Sequence, residues 1–348
     1  MPATPRVAVL GSMNMDISVS VPELPGPGAT VLGSAARFAP GGKGGNQAVA
    51  AARLGAEVRM AGCVGPDDFG RQLRQALQDE SVDTAAVREV PGVASGLALI
   101  SVDESGENMI TVAAGANEAV GDDEVGSAFA HPIDVLIISA EIPAPAIQSA
   151  LTRTRGARQA GPDGLEGQEG QIGQEAPEGQ PGRPHPEGRT EATSIVSLLN
   201  LAPVPPHAGD LLAVGVDWLV VNETEAAAVL GHPVSGLADA AAAAEDLLAK
   251  GANHAVVTAG AAGAAYAGPN GTVSVPGFPV RAVDSVGAGD TFVGALAFAI
   301  GAGADPESSV RAACAAAAVA TTKAGTQDAM PRPADVPRLT GVSWPPEV

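Results

Sequence analysis

Apolar positions change their spacing along most of this chain, from short continuous apolar segments to longer Ala-rich segments with helical periodicity. The short segments predict strands and the Ala-rich segments predict helices. The predicted strands are 6–10, 58–64, 135–139, 195–199, 218–221 and 255–258, and the predicted helices are 46–54, 69–78, 146–152, 237–249, 291–300 and 310–320. Such alternation predicts an α/β fold whose parallel sheet is covered by helices on both faces. We expect ligands to bind at the carboxyl ends of its strands.

The N-terminal third departs from this alternation. Residues 17–21 and 31–38 alternate weakly between apolar and polar, and residues 97–112 predict a hairpin that turns at 104–107. Together they predict a small β-sheet apart from the main layers, with strands inside about 14–40 and 95–113. Such a sheet could form a lid over a site, or it could be an ordinary surface hairpin.

Residues 156–192 form a segment of different composition. Of its 37 residues, 9 are Gly, 5 Pro, 6 Glu and 5 Gln, and its large apolar residues are Leu165 and Ile172. Such a segment buries too little apolar surface to offset its chain entropy. We interpret it as a disordered insertion in a surface loop. A tolerated spacer is the favoured role, and partner binding is the alternative.

The bulk composition limits the class of protein. The chain has 348 residues, 45% of them hydrophobic, which suffices for one large α/β domain. A net charge of −20 argues against nucleic acid and anionic membranes as partners. Cys63 and Cys314 lack metal-site spacing and are expected to be free thiols. Without a predicted membrane span or signal peptide, we expect a cytoplasmic protein.

The strongest candidate for chemistry is the segment Asp284–Asp290, of sequence DSVGAGD, which precedes the apolar run 291–296. Small residues that open a helix leave backbone N–H groups and the positive end of the helix dipole available to an anion. Asp290 stands at the edge of that anion site. A kinase needs this arrangement, a base beside a transferable phosphoryl group. The alternative is an ordinary Asp near a helix N-terminus.

Two more motifs offer groups for a polyol. In the Gly-rich stretch 40–48 the helix is expected to begin near Asn46, so that Lys43 and Asn46 face one cleft, or Asn46 simply caps a turn. Asn14 and Asp16 follow the first strand, and a carboxylate can accept hydrogen bonds from two hydroxyls. Asp16 could equally be a solvated turn residue.

Two further motifs follow later strands. Asn222 and Glu225 could hold Mg²⁺ through its waters, or form a capping box. The small residues 258–263 could pass close to a nucleotide, or make a turn. The chain lacks a Walker P-loop around Lys43, and the dinucleotide fingerprint fails at Phe292.

Taken together, residues 41–55 and 284–296, with 11–16 and 25–31, resemble the ribokinase (PfkB) family of carbohydrate kinases. The resemblance covers nearly the whole chain outside 156–192. It implies a ribokinase-like kinase domain over residues 1–340. The implied fold is a three-layer α/β/α arrangement with a central, mostly parallel sheet and a small β-sheet lid. It also implies a homodimer formed through the lid.

The resemblance further implies ATP-dependent phosphorylation of D-ribose at O5, with Asp290 as the catalytic base. The implied anion hole comprises Gly287, Ala288 and Gly289. The implied sugar-binding residues are Asn14, Asp16, Gly42, Lys43, Asn46 and Glu141. The implied ATP-site residues are Asn222, Glu225, Thr258, Ala259, Gly260, Ala261, Ala262, Gly263, Gly289 and Cys314, with Mg²⁺ near the first two.

A monovalent cation, K⁺, is also implied beside the anion hole. The residues that match its site are Asp284 and the carbonyls of Val286, Ala320, Lys323 and Gly325. Ala329 departs from the family pattern, which often has Ser there, and Cys314 stands where a polar residue is common. Two alternatives remain: another sugar or nucleoside kinase of the family, such as a fructokinase, or a sugar sensor without turnover. Low aromatic content, 3%, argues against a nucleoside.

Overall fold

The structure is a computed structural model, and it describes residues 3–105, 107–160 and 195–347. The strands are β1 (Arg6–Leu10), β2 (Asn14–Ser20), β3 (Arg37–Gly41), β4 (Glu57–Val64), β5 (Asp83–Glu89), β6 (Gly96–Val102), β7 (Asn108–Ala113), β8 (Val135–Ser139), β9 (Val196–Asn200), β10 (Val216–Asn222), β11 (Ala252–Thr258), β12 (Gly263–Gly268) and β13 (Gly271–Pro276). The helices are α1 (Lys43–Arg53), α2 (Asp68–Asp79), α3 (Asp122–Ala128), α4 (Ala144–Ala160), α5 (Ala208–Ala213), α6 (Glu223–Leu230), α7 (Gly236–Leu248), α8 (Ala288–Gly301), α9 (Pro306–Ala320) and α10 (Asp335–Thr340).

The larger sheet confirms the predicted α/β class. Within the described residues it has nine strands in the order β13-β12-β11-β10-β9-β8-β1-β4-β5, and all neighbours are parallel except at β12 and β13. Apolar residues of its central strands alternate between two buried clusters, one on each face. Helices α3, α4, α5 and α7 contribute to one cluster, and α1, α2, α8 and α9 contribute to the other. The result is the expected three-layer α/β/α arrangement.

A second sheet, here called the lid sheet, consists of β3, β2, β6 and β7 in that order. The predicted hairpin in 97–112 is confirmed as the antiparallel pair β6–β7. The predicted strand at 31–38 is wrong, because the strand is Arg37–Gly41 and residues 31–36 have no regular structure. The ladder with β2 explains the difference, since Ser18 pairs with Arg37 and Asn14 with Gly41. The register therefore places the strand directly before the Gly-rich segment.

Two helices begin earlier than predicted, and both changes affect the site. Helix α1 begins at Lys43 rather than Asn46, so Gly44 and Gly45 are helical. A Cβ on Gly44 would lie 2.7 Å from the backbone N of Ser12, so glycine permits this helix to approach the end of β1 closely. Helix α8 begins at Ala288 rather than Thr291, which places Asp290 in its first turn.

Helix α4 ends later than predicted. The sequence predicted a disordered insertion over 156–192, but residues 156–160 continue the helix to Ala160. The uninterrupted helix is favoured because its earlier residues Ile147 and Leu151 are fully packed in the core, and the helix propagates from them. The remainder of the predicted insertion, 161–192, lies outside the described residues. No helix in the described part of the chain has the length and apolar character needed to cross a membrane.

Candidate active site

The candidate site lies where the carboxyl ends of the central strands meet the first turns of α1 and α8. Asp290 is its central acidic group, with 8% of its surface exposed. The Asn46 Nδ2 donates to Asp290 Oδ2 at 2.9 Å, and the Gln47 Nε2 donates to Oδ1 at 3.1 Å. Burial raises the pKa of Asp290, although the Lys43 ammonium and the two amide donors oppose that rise. Asp290 is therefore a buried carboxylate of increased basicity.

Lys43, the first residue of α1, supplies positive charge to the same site. Burial alone would lower the pKa of its ammonium, but the carboxylates of Asp290, Glu141 and Glu225 outweigh that effect and raise the pKa. The predicted residue Glu141 accepts hydrogen bonds from the Ser12 hydroxyl at 2.6 Å and from the Lys43 backbone N–H at 3.2 Å. Lys43 therefore stays charged among three acidic side chains.

Asp16 and Asn14 reach this region from β2. Burial, and then the neighbouring carboxylates of Glu141 and Asp290, raise the pKa of Asp16 to about 7. Asn14 is buried, and its Oδ1 accepts a hydrogen bond from Asn117 Nδ2 at 2.8 Å. This bond holds the Asn14 amide by its oxygen, and it therefore also sets the direction in which the amide nitrogen points.

Asn46, which was predicted to hold the sugar, contacts Asp290 directly. Its Nδ2 donates to Asp290, and its Oδ1 accepts from Gln327 Nε2 at 3.1 Å. Both ends of the amide are therefore engaged within the protein. This arrangement fixes the orientation of Asn46 and, through it, one oxygen of Asp290.

Two predicted glycines have backbone conformations that a side chain would strain. Gly42, at the N-terminus of α1, has φ +81°, and a Cβ there would lie 2.6 Å from the backbone N of Asn14. Gly287, at the N-terminus of α8, has φ +78°, and a Cβ there would lie 2.8 Å from Thr326 Cγ2. The N–H of Ala288 donates to the Ser285 carbonyl at 3.2 Å, so this predicted anion-hole group is engaged within the loop here.

Two adjoining cavities lie beside the first turn of α8. The larger, about 510 Å³ and mainly apolar, extends between the loop after β11, the segment 277–282 and helices α8 and α9. The smaller, about 130 Å³, has Asp290 and Lys43 in its wall. Thr258 and Gly289 line both cavities, so the two are adjacent. One cavity is therefore mainly apolar, and the adjoining one carries the charged side chains.

The predicted nucleotide residues are divided between these cavities. Those that line the larger cavity are Thr258, Gly260, Ala261, Gly263, Gly289 and Cys314. Ala259 and Ala262 belong to the same loop but do not line it. Asn222 and Glu225 line the smaller cavity and also form the capping box that was the structural alternative. Burial raises the pKa of Glu225, although its bond from the Asn222 N–H and the Lys43 charge oppose that rise.

The predicted cation-site residues belong to two segments, 284–286 and 320–325, and hydrogen bonds to the Asp284 carboxylate link the two. Its Oδ1 accepts the Val286 N–H and its Oδ2 accepts the Gly325 N–H, each at 3.0 Å. Ala320 is the last residue of α9 and Lys323 lies just beyond it, with the Lys323 N–H donating to the Ala320 carbonyl at 3.5 Å. This set offers carboxylate and carbonyl oxygens, which suit an alkali cation. Among the described residues, no group of three or more His, Cys, Asp or Glu could hold a metal ion.

Several polar residues of the site were not predicted. They are Ser12, Gln47, Asn117, Asn200 and Gln327. Gln47 follows Asn46 directly in the Gly-rich motif, so its position in the sequence was a usable signal. Asn117 and Gln327 lie in short 3₁₀ helices far along the chain and carry no comparable signal.

This combination of an α/β/α fold, a lid sheet and a buried carboxylate at a helix N-terminus defines a small-molecule kinase of the ribokinase-like fold. The chain matches the profile of the "pfkB family carbohydrate kinase" over residues 4–163 and 192–333, and it belongs to that family. The matched ranges leave out residues 164–191, which lie within the predicted insertion.

Individual relatives agree with this assignment. A ribokinase of Haemophilus influenzae is 32% identical over 327 residues, which cover 93% of this chain and 95% of that protein. A deoxyribokinase of Salmonella typhimurium is 31% identical, with the same coverage of both chains. The solved structure of Arabidopsis thaliana ribokinase complexed with ribose and ATP matches with a TM-score of 0.79 and 25% identity, covering 98% of this chain and all of that one (100%).

Proposed function

We propose that this protein transfers the γ-phosphoryl group of MgATP to O5 of D-ribose, giving D-ribose 5-phosphate and ADP. The observation that carries the proposal is the Asp290 carboxylate, buried in the wall of a charged cavity that adjoins an apolar one. The choice of ribose is supported by the ribokinase relative at 32% identity and by the structural match to a ribokinase complexed with ribose and ATP.

In the proposed reaction, Asp290 accepts the proton of the sugar hydroxyl as that oxygen attacks the γ-phosphorus. A pKa raised by burial makes this carboxylate a better proton acceptor than an exposed Asp. The positive end of α8 and the Lys43 ammonium stabilise the negative charge that spreads over the phosphoryl oxygens. Asn14, Asp16 and Gly42 then hold the rest of the sugar.

Two cations fit the proposed reaction, because oxygen groups of the site could hold them. Asn222 and Glu225 line the phosphate cavity and would hold Mg²⁺ through its waters, and the ion would neutralise phosphate charge. Asp284, which connects the loops at 286 and 325, would hold K⁺ with neighbouring carbonyls. With Ala329 in place of a hydroxyl residue, one oxygen ligand of K⁺ would come from elsewhere.

A substrate panel tests this proposal. Coupled ADP release is measured with D-ribose, 2-deoxy-D-ribose, D-fructose and adenosine. The deoxyribokinase relative, at 31% identity, makes 2-deoxy-D-ribose the second candidate. A preference for ribose supports the proposal, and a clear preference for another substrate overturns it. Ribose binding in isothermal titration without ADP release would instead indicate a sugar sensor.

We also propose that the protein acts in the cytoplasm. Cys63 and Cys314 are both buried free thiols, as is usual in a reducing compartment. With a net charge of −20 we expect neither nucleic acid nor anionic membranes as partners.

Sugar binding is expected to weaken as the pH falls through about 7, because Asp16 has its pKa near that value. Below it the protonated carboxyl can accept fewer hydrogen bonds from sugar hydroxyls. The sugar KM measured across this pH range checks the prediction, with Asp16→Asn as the comparison. This variant should bind ribose more weakly than the wild-type protein and without this pH dependence. An unchanged pH dependence in the variant would contradict the assignment.

We also propose a homodimer formed through the lid sheet. The exposed apolar side chains Leu99, Met109, Ile110 and Val112 lie on its strands β6 and β7 and are each about half exposed, from 49% to 53%. The wild-type protein should sediment as a dimer at micromolar concentration. The double variant Ile110→Glu/Val112→Glu, at two side chains on one face of the sheet, should shift it toward monomer, whereas Leu339→Glu on α10 should not. A wild-type protein that sediments as monomer counts against the proposal.

A further inference from the structure

Gln47 is a fully buried polar residue of α1 that bonds Asp290. We propose that Gln47 is a positioning residue that holds the Asp290 carboxylate in the orientation needed to accept the substrate proton. This inference rests on the proposed function for its catalytic meaning. The hydrogen bonds that support it join side chains of the protein and involve no substrate.

The amide nitrogen of Gln47 donates hydrogen bonds to two acceptor oxygens. Its Nε2 donates to Asn200 Oδ1 at 2.9 Å and to Asp290 Oδ1 at 3.1 Å. Asn200 is itself oriented, because its Nδ2 donates to the Val220 carbonyl at 3.3 Å. Reversing the Gln47 amide would place its oxygen against two other acceptor oxygens. The donor group of Gln47 therefore faces the base.

Close packing of α1 against α8 fixes the backbone that carries Gln47. Gly294 lies one helical turn after Asp290 and so on the same face of α8. A Cβ on Gly294 would lie 2.9 Å from the Gln47 carbonyl oxygen and 2.8 Å from the Ala51 N. The two helices are thus in contact without room for even a methyl group, and the Gln47 side chain starts from a defined position beside the base.

The amide oxygen of Gln47 indicates that packing alone does not explain a glutamine at this position. Within the described part of the chain, Gln47 Oε1 is buried and has no hydrogen-bond partner. A buried acceptor without a partner costs stability, and a Met or Leu of similar size would avoid that cost. Retaining an amide is explained by what its donor half does for Asn200 and Asp290.

Gln47 and Asn46 act on different oxygens of the base. Asn46 donates to Oδ2 and Gln47 donates to Oδ1, so the two bonds together define the plane of the carboxylate. Rotation of the carboxyl group would break both bonds. The same two donors favour the ionised form of Asp290, and so oppose the rise that burial causes in its pKa.

The kinetic test uses Gln47→Met, which keeps the side-chain size and removes the donor. We expect kcat to fall roughly 10- to 100-fold with the KM values for sugar and ATP little changed, and the acidic limb of the kcat profile to move to higher pH. Gln78→Met is the matched control, because Gln78 Nε2 in α2 bonds Thr84 in β5, away from the site. Unchanged kcat, or a fall without movement of the pH limb, overturns the proposal.

A second measurement does not depend on turnover. Asp290 has a raised pKa, so its contribution to stability is present at low pH and lost as the pH rises through that pKa. Removing the Gln47 donor should deepen that loss, so the free energy of unfolding lost in Gln47→Met should grow with pH. The neighbouring charged and titratable groups are Lys43, Glu141, Glu225 and Asp16, and they are common to every variant.

A double-mutant cycle isolates the contribution of Asp290 from those neighbours. In the Asp290→Asn background, the stability cost of Gln47→Met should no longer grow with pH. A cost that is independent of pH in the wild-type background, or that grows equally in both backgrounds, would contradict the proposal. Because no substrate is needed, this arm remains decisive even if the ribose panel overturns the proposed function.

Discussion

Replacing Asp290 with asparagine is expected to lower kcat by about 10²- to 10⁴-fold, the usual contribution of a positioned general base. The variant keeps the shape of the side chain but cannot accept the proton of the sugar hydroxyl. The free energy of unfolding at neutral pH should change little, because removal of a buried charge offsets the loss of one of the two oxygens that accept from Asn46 and Gln47. Burial raises the pKa of Asp290, which means that the ionised carboxylate is less favourable in the folded protein than in the unfolded chain. Coupled ADP release and denaturant unfolding measure the two effects.

A matched control is Asp305→Asn at the N-terminus of α9. The Asp305 carboxylate accepts the Ser308 N–H at 3.0 Å. Hydrogen bonds from the side chain and the backbone of Ser308 lower the pKa of Asp305, whereas the pKa of Asp290 is raised. This variant should leave kcat unchanged and should not gain stability. Near-wild-type turnover in Asp290→Asn would show that Asp290 is not the base of the proposed reaction.

Replacing Lys43 with methionine is expected to lower kcat/KM by roughly 10- to 100-fold, as expected for loss of a charged group that would bind the phosphate. The variant leaves the carboxylates of Asp290, Glu141 and Glu225 without their shared cation. Phosphate charge would then enter a site of the same sign. Since Lys43 opposes the rise in the pKa of Asp290, the activity of the variant should also need a higher pH.

Lys250→Met is the control for this variant, because Lys250 is an exposed residue beyond the end of α7. It removes the same charge and should leave kcat/KM at the wild-type value. The salt dependence of ATP binding gives a further comparison between the two variants. If Lys43→Met retained wild-type kcat/KM at neutral pH, the lysine would be structural.

The layers of the fold could be predicted because buried parallel strands have a simple pattern. The strand at 135–139 was predicted with the boundaries that β8 has, since all five of its residues are buried. The start of α1 was missed because its glycines resemble a loop, and their role is visible only against the backbone of Ser12. The strand at 31–38 was misplaced because alternation cannot show which residues pair with β2.

The candidate site was predicted as motifs, and the contacts between motifs were not. Lys43 and Asp290 were named from local patterns, and the structure brings them to one small cavity. The bond from Gln47 to Asp290 joins residues 243 positions apart, and the bond from Asn117 to Asn14 joins residues 103 apart. Such pairs depend on how helices and strands pack, which one sequence does not reveal.

The most direct test of the account is the chemical identity of the product formed from D-ribose and MgATP. Phosphorus and carbon NMR of the reaction mixture identify the oxygen that carries the new phosphoryl group. We expect D-ribose 5-phosphate, formed in equal amount with ADP and lost in Asp290→Asn. A phosphoryl group on another oxygen of ribose, or ADP release without a phosphorylated sugar, would contradict it.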